Sequence, residues 1–132
     1  MPNIVYLELP AMAHPETKAF YDAAFGWTMT DYGPAYSATE SLEVNVGLQA
    51  DLTEAPSAPL AVILVTDLEA ALRDVQEAGG LIVRPIFSFP GGRRFQFRDP
   101  SGNQLAVMQA DAPHESGTLL HEVRVEREAI PD

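Results

Sequence analysis

One pattern occurs twice along this chain at a constant offset, and it restricts the possible folds more than any other feature. An alternating apolar run, Ile4 to Leu9, leads through Pro10-Ala11-Met12-Ala13 into a helical stretch that ends near Phe25-Gly26-Trp27. A second run, Leu60 to Val65, leads through Thr66-Asp67 into a helical stretch that ends near Gly79-Gly80-Leu81. Ala13 falls on Asp67 and Gly26 on Gly80, an offset of 54 residues in both cases. Identity between the copies is low; what repeats is the order of patterns and the glycine after each helix.

The remaining elements follow from periodicity and turn chemistry. In the first run Val5, Leu7 and Leu9 take one face and Tyr6 and Glu8 the other. His14-Pro15 suits a helix start, with proline at the first helical position, and Phe20, Ala23, Ala24 and Phe25 are expected to form its buried side, with Lys18 and Asp22 facing water. Strands are expected at 27–33, 35–39 and Leu42–Leu48, the last with Leu42, Val44 and Val46 on one face and Glu43 and Asn45 on the other. Residues 51–59 carry two prolines and no periodicity and read as a linker. In the second copy Asp67 is placed to cap a helix whose buried stripe is Leu68, Ala71, Leu72, Val75 and Ala78. Strands 81–89, 93–98 and Gln104–Gln109 follow, separated by turns at Pro90-Gly91-Gly92 and Asp99-Pro100-Ser101-Gly102-Asn103. The fold class is therefore α+β, built as βαβββ twice. Module one spans 3–50, module two 60–110, and a tail 111–132 follows, within a single domain covering 1–132. In the tail, Leu119 to Val125 alternates enough for a strand or an arm laid on a partner, while a disordered end is nearly as well supported. One helix covers only one face of a four-stranded sheet. The other face must be covered by the second unit or left as a groove, and a pocket between two curved sheets is the expected result.

Composition narrows the function. A hydrophobic share of 46% supports a normal core, and the absence of cysteine excludes disulfides, a thiol nucleophile and thiolate metal sites. Nineteen acidic residues against eight basic ones give a formal charge of -11, a field that repels nucleic acid and anionic membranes. That acidity either favours neutral or cationic ligands or merely keeps the protein soluble, and solubility is the simpler account. No basic, apolar leader and no run of about 20 apolar residues is present, so a cytoplasmic location is expected.

Several motifs together resemble one superfamily. They are Glu8-Leu9-Pro10-Ala11, Lys18-Ala19-Phe20-Tyr21 and Phe25-Gly26-Trp27 in the first copy. In the second they are Val65-Thr66-Asp67-Leu68-Glu69-Ala70-Ala71, Glu77-Ala78-Gly79-Gly80 and Phe97-Arg98-Asp99-Pro100-Ser101-Gly102-Asn103. Residues 3–110 are similar to the vicinal oxygen chelate superfamily of glyoxalases, extradiol dioxygenases and bleomycin- and fosfomycin-resistance proteins. The resemblance implies a glyoxalase/bleomycin-resistance-like fold with curved mixed sheets and a homodimer. It says little about the reaction, because one fold hosts many chemistries.

It also implies a divalent metal held by His, Gln or Glu on inward strand positions, acting as a Lewis acid. By the family's spacing those positions are Tyr6, Leu60 and Ala106. Leucine and alanine offer no lone pair, and neutral tyrosine is a poor ligand. Glu43 or Asn45 could add one oxygen donor, which does not make a site. His14, His114 and His121 lie off the sheet positions concerned and read as solvated. A site built from Glu8, Glu43 and a histidine of a partner's tail is the remaining way to hold a metal. The expectation is no metal, no cofactor and no assigned catalytic residue.

The expected function is metal-free binding of an organic ligand, aromatic or cationic, in the cleft, by Tyr6, Glu8, Trp27, Tyr36, Leu60, Val62, Phe87, Ala106 and Met108. Glu8, mid-strand between leucines, is either the polar anchor of that cleft or the member of a structural hydrogen bond. Arg93-Arg94 could guide a carboxylate, but a solvated hairpin end is the simpler account. The alternative function is a metal-dependent lyase or dioxygenase with an atypical site. A metal-free isomerase or hydrolase using Glu8 and a structural or regulatory partner protein also stay open.

Overall fold

The computed structural model describes residues 2–89 and 91–111. Its elements run β1 (Asn3–Pro10), α1 (His14–Phe25), β2 (Thr30–Asp31), β3 (Tyr36–Ala38), β4 (Asn45–Gln49), β5 (Leu60–Leu64), α2 (Leu68–Glu77), β6 (Leu81–Phe89), β7 (Gly92–Arg98) and β8 (Gln104–Ala110). The βαβββ order thus occurs twice, as the duplicated pattern requires. By contacts, Val5–Leu60 forms one compact unit, and the described residues from Ala61 onward, with the first few of the chain, form the other. The strand or arm expected at 119–125 lies outside the described residues.

In the first unit the strands lie in the order β2-β3-β4-β1. β1 and β4 pair in parallel, with Tyr6 opposite Asn45 and Glu8 opposite Gly47, while β3 joins β4 antiparallel, with Tyr36 opposite Gln49 and Ala38 opposite Gly47. Register then sorts the side chains. Leu7, Leu9, Val46 and Leu48 pack on the α1 side with Ala11, Met29, Tyr21 and Trp27, and Tyr6, Glu8, Tyr36 and Gly47 share the opposite face. β4 starts at Asn45, three residues later than expected, and Val44 stays exposed ahead of it.

Helix α1 contradicts the expected core. None of its residues is fully buried, and Phe20 and Phe25 are 57% and 63% exposed. Apolar residues stand almost all round its second half, so their pattern did not define one face. The half-buried stripe is instead His14, Thr17, Lys18 and Tyr21, at helical spacing. Within that stripe the apolar contact is made by Tyr21, through a stack on Trp27 with ring centroids 5.3 Å apart, and Phe25 touches the same ring from outside the stripe at 5.5 Å. Gly26, with φ of 71°, ends the helix and returns its N–H to the Asp22 carbonyl.

The second unit has the order β5-β8-β7-β6, with β5 and β8 parallel and the rest antiparallel. Here the sequence pattern held. Asp67 accepts a hydrogen bond from the Ala70 amide at 3.0 Å, the expected cap, and Leu68, Ala71, Leu72 and Val75 pack against Phe95, Val107, Ile63 and Phe97. Ala78, expected in the stripe, is the exposed C-cap residue. The Gln109 side chain accepts from the Leu68 amide at 2.8 Å, so β8 holds the start of α2 directly. The Asp99 carboxylate closes the turn before β8 by accepting from the Ser101 and Asn103 amides, both at 2.9 Å. Those bonds, that from the Asn103 side chain first, hold its acidity below the ordinary carboxylate range. Among the described residues no helix is long and apolar enough to cross a membrane.

Candidate functional site

The sheet face of the first unit that looks away from α1 carries its polar aromatics. Tyr6 on β1 and Tyr36 on β3 are buried on either side of β4 and hydrogen-bond hydroxyl to hydroxyl. Gly47, between them on β4, makes this possible: a Cβ there would collide with both hydroxyls and stand 2.9 Å from Tyr36 Cζ. Tyr32 joins them. The ladder sets Thr30 opposite Ala38 and Asp31 opposite Ser37, and the Tyr32 amide bonds the Tyr36 carbonyl at 2.8 Å, which puts Tyr32 across from Tyr36. Tyr32 is 7% exposed, and its hydroxyl is buried with no hydrogen-bond partner among the described residues. Such orphans are few in folded proteins, and each asks for an explanation. Tyr32 was not in the expected ligand-binding set, although its even spacing from Thr30 in a strand expected at 27–33 was available.

Glu8 lies on this face at 0% exposure and is not without a partner. A carboxylate so enclosed is not an anchor open to solvent. Trp27, expected in the pocket, is instead stacked with Tyr21 in the helix-side cluster, because the chain from Gly26 to Met29 runs on that side before β2 begins.

The corresponding face of the second unit holds Val62, Ala106 and Met108, all buried, with Phe87 half-buried. Their registers, Val62 to Ala106, Arg94 to Met108 and Phe87 to Arg94, place them together as the alternation predicts. Arg94 corrects a sequence expectation. It is not a solvated hairpin end but is 6% exposed on this face, its guanidinium carbon 5.5 Å from the Phe87 ring centre. Arg93, its neighbour, points to the helix side and pairs with Glu69 of α2. Hydrogen bonding by Arg93 lowers the Glu69 pKa to about 2.

His14 is likewise not simply solvated. Its Nε2 lies 2.9 Å from Ser37 Oγ, and Ser37 donates to Asp31 Oδ1 at 2.6 Å, beside Lys18 Nζ at 2.8 Å. Lys18 and Ser37, in that order, hold the Asp31 carboxyl below its ordinary pKa. This is no nucleophilic triad: the serine proton goes to the carboxylate, so the imidazole donates to Ser37 instead of receiving from it, and Ser37 is fully buried. The group ties α1 to its sheet.

Residues 3–107 match the family model described as Glyoxalase/Bleomycin resistance protein/Dioxygenase superfamily. The chain belongs to that superfamily. No curated protein matches it. Among solved structures, this glyoxalase-superfamily chain is similar to a glyoxalase/bleomycin resistance protein/dioxygenase superfamily member from Vibrio splendidus, at 20% identity and a TM-score of 0.66 over 83% of this chain and 99% of that one. It is also similar to methylmalonyl-CoA epimerase from Mycobacterium tuberculosis, at 11% identity and 0.65 over 83% and 88%. The Mn(II)-bound glyoxalase from Novosphingobium aromaticivorans shares 17% identity and a TM-score of 0.60, over 86% of this chain and 42% of that one. At these identities the likeness is one of fold.

The donors that this superfamily's metal would need do not fit here. At the positions implied by the resemblance, Leu60 and Ala106 are buried side chains without a lone pair, and the Tyr6 hydroxyl is engaged with Tyr36. Glu43 is exposed ahead of β4. Asn45 spends its carbonyl oxygen on Thr39 Oγ at 2.9 Å and the Leu42 amide at 3.1 Å. Among the described residues no group of three or more His, Cys, Asp or Glu is gathered closely enough to hold an ion. His114 and His121 lie outside the described residues.

Proposed function

We propose that this glyoxalase-superfamily chain binds a small organic molecule on the tyrosine-lined sheet face of its first unit, without a divalent metal. The observation that carries the reading is the Tyr32 hydroxyl, buried and without a hydrogen-bond partner among the described residues. Leaving such a group unsatisfied costs about 1–3 kcal/mol, which a ligand that accepts from it recovers. The aromatic rings of Tyr6 and Tyr36 beside it suit a planar molecule bearing a carbonyl or similar acceptor. Metal independence is supported by the donor set, in which leucine and alanine occupy positions where oxygen or nitrogen would be needed.

The test is ligand-observed NMR on the full chain with two probes of similar shape, benzamide and toluene. Benzamide is expected to bind in preference, and Tyr32→Phe is expected to abolish that preference while leaving the fold intact. Equal binding of both probes by the wild type, or an unchanged preference in Tyr32→Phe, sinks the proposal.

A further inference from the structure

The second unit carries a cation that its own fold does not neutralise. Arg84 stands on edge strand β6, half-buried, with its guanidinium carbon 3.6 Å from the centre of the Phe87 ring. Residues three apart on a regular strand point to opposite faces. Arg84 and Phe87 meet because the β6–β7 register shifts on both sides of Arg84, between Ile82 and Arg84 and again between Arg84 and Phe87. Pro85, which has no N–H to give a ladder, lies within the second irregularity, on an edge strand where proline is tolerated. The shifted register sets Arg84 opposite Gln96 and Phe87 opposite Arg94, on the face away from α2.

A guanidinium engaged with a ring through its flat face keeps the N–H donors of its planar fork available to a second partner. In a chain with 19 acidic residues, Lys18 and Arg93 each hold a carboxylate. Arg84 has no ion pair and no hydrogen bond among the described residues. Removing a cation from water in part, without a counter-charge, is unfavourable. A planar anion laid against the fork restores the balance with two parallel hydrogen bonds. Arg94, which has a partner of its own, adds positive potential near the same ring.

We infer that the Arg84–Phe87 pair on β6 is a binding site for a small organic carboxylate. This goes beyond the tyrosine-face reading and does not depend on it. It also departs from the expectation of a cationic ligand, since the group this pair offers is itself a cation.

The experiment is an NMR titration of the full chain with benzoate and with benzylamine, which differ mainly in charge, on wild type, Arg84→Gln and Arg84→Lys. Thermal melting of each variant checks that it folds. Benzoate is expected to bind wild type and benzylamine not. Arg84→Gln is expected to weaken benzoate by roughly tenfold or more, the worth of charge-assisted hydrogen bonds. Arg84→Lys, which keeps charge but loses the fork, is expected to fall between the two. Absence of benzoate binding, benzylamine binding as strong as benzoate, or wild-type affinity in Arg84→Gln each overturns the inference. Benzamide preference at Tyr32 is read separately in the same samples, so the two proposals fail or survive independently.

Discussion

Gly47→Ala is a one-methyl probe of the tyrosine face. Gly47 is not among the glycines with positive φ, so alanine meets no backbone strain there and gains up to about 1 kcal/mol from the reduced freedom of the unfolded chain. Against that, the new Cβ falls on the Tyr6 and Tyr36 hydroxyls and 2.9 Å from Tyr36 Cζ. Overpacking of this kind costs about 1–3 kcal/mol. Prising the hydroxyl pair apart in a buried setting adds about 1–3 kcal/mol. The net destabilisation expected is about 1–6 kcal/mol. Urea unfolding followed by circular dichroism reads it directly. With a slope of about 2 kcal/mol per molar for a small protein, the midpoint is expected to fall by roughly 0.5–3 M at unchanged slope. Adding Tyr6→Phe and Tyr36→Phe to Gly47→Ala removes the colliding oxygens and is expected to recover part of the loss. A Gly47→Ala protein within about 0.5 kcal/mol of wild type, or a triple variant with no recovery, would refute the steric reading.

Tyr32→Phe is expected to leave the ligand-free protein as stable as wild type or more stable by about 1 kcal/mol, because it removes an unsatisfied buried hydroxyl; a clear loss of stability in urea unfolding would mean that the hydroxyl has a structural partner. Glu69 is expected to titrate at about 2 by NMR and to return towards its ordinary 4.5 in Arg93→Gln. Because its folded pKa is depressed, its contribution to stability is present above about 4.5 and fades as pH falls towards about 2, so the pH dependence of unfolding in that window is expected to flatten in Arg93→Gln.

The helix start, the final turn and the β5–β8 pairing of the second unit were legible because their signals were local. Asp67, the spaced apolar stripe from Leu68 to Val75, and the Asp99-to-Asn103 turn leave few alternatives, and strand alternation placed Val62, Ala106 and Met108 on one face. α1 was misread for the opposite reason. With apolar residues on most sides of its second half, periodicity could not say which faced the sheet. The answer came from polar partners distant in sequence, Ser37 for His14 and Asp31 for Lys18. Arg84 was invisible to alternation, since the register irregularities on either side of it reset which side chains share a face. Tyr32 was equally hidden, because an orphan hydroxyl is defined by what fails to reach it. That Leu60 and Ala106 have no lone pair to offer at the positions implied by the superfamily's spacing, by contrast, is a matter of sequence alone.

Metal-free recognition is tested most directly by measuring benzamide binding before and after exhaustive chelation, with elemental analysis of the same sample. Binding unchanged by the chelator, with no ion retained at one per chain after incubation with zinc, manganese or nickel, is the expected result. One tightly held ion per chain, and binding that disappears with its removal, would contradict it.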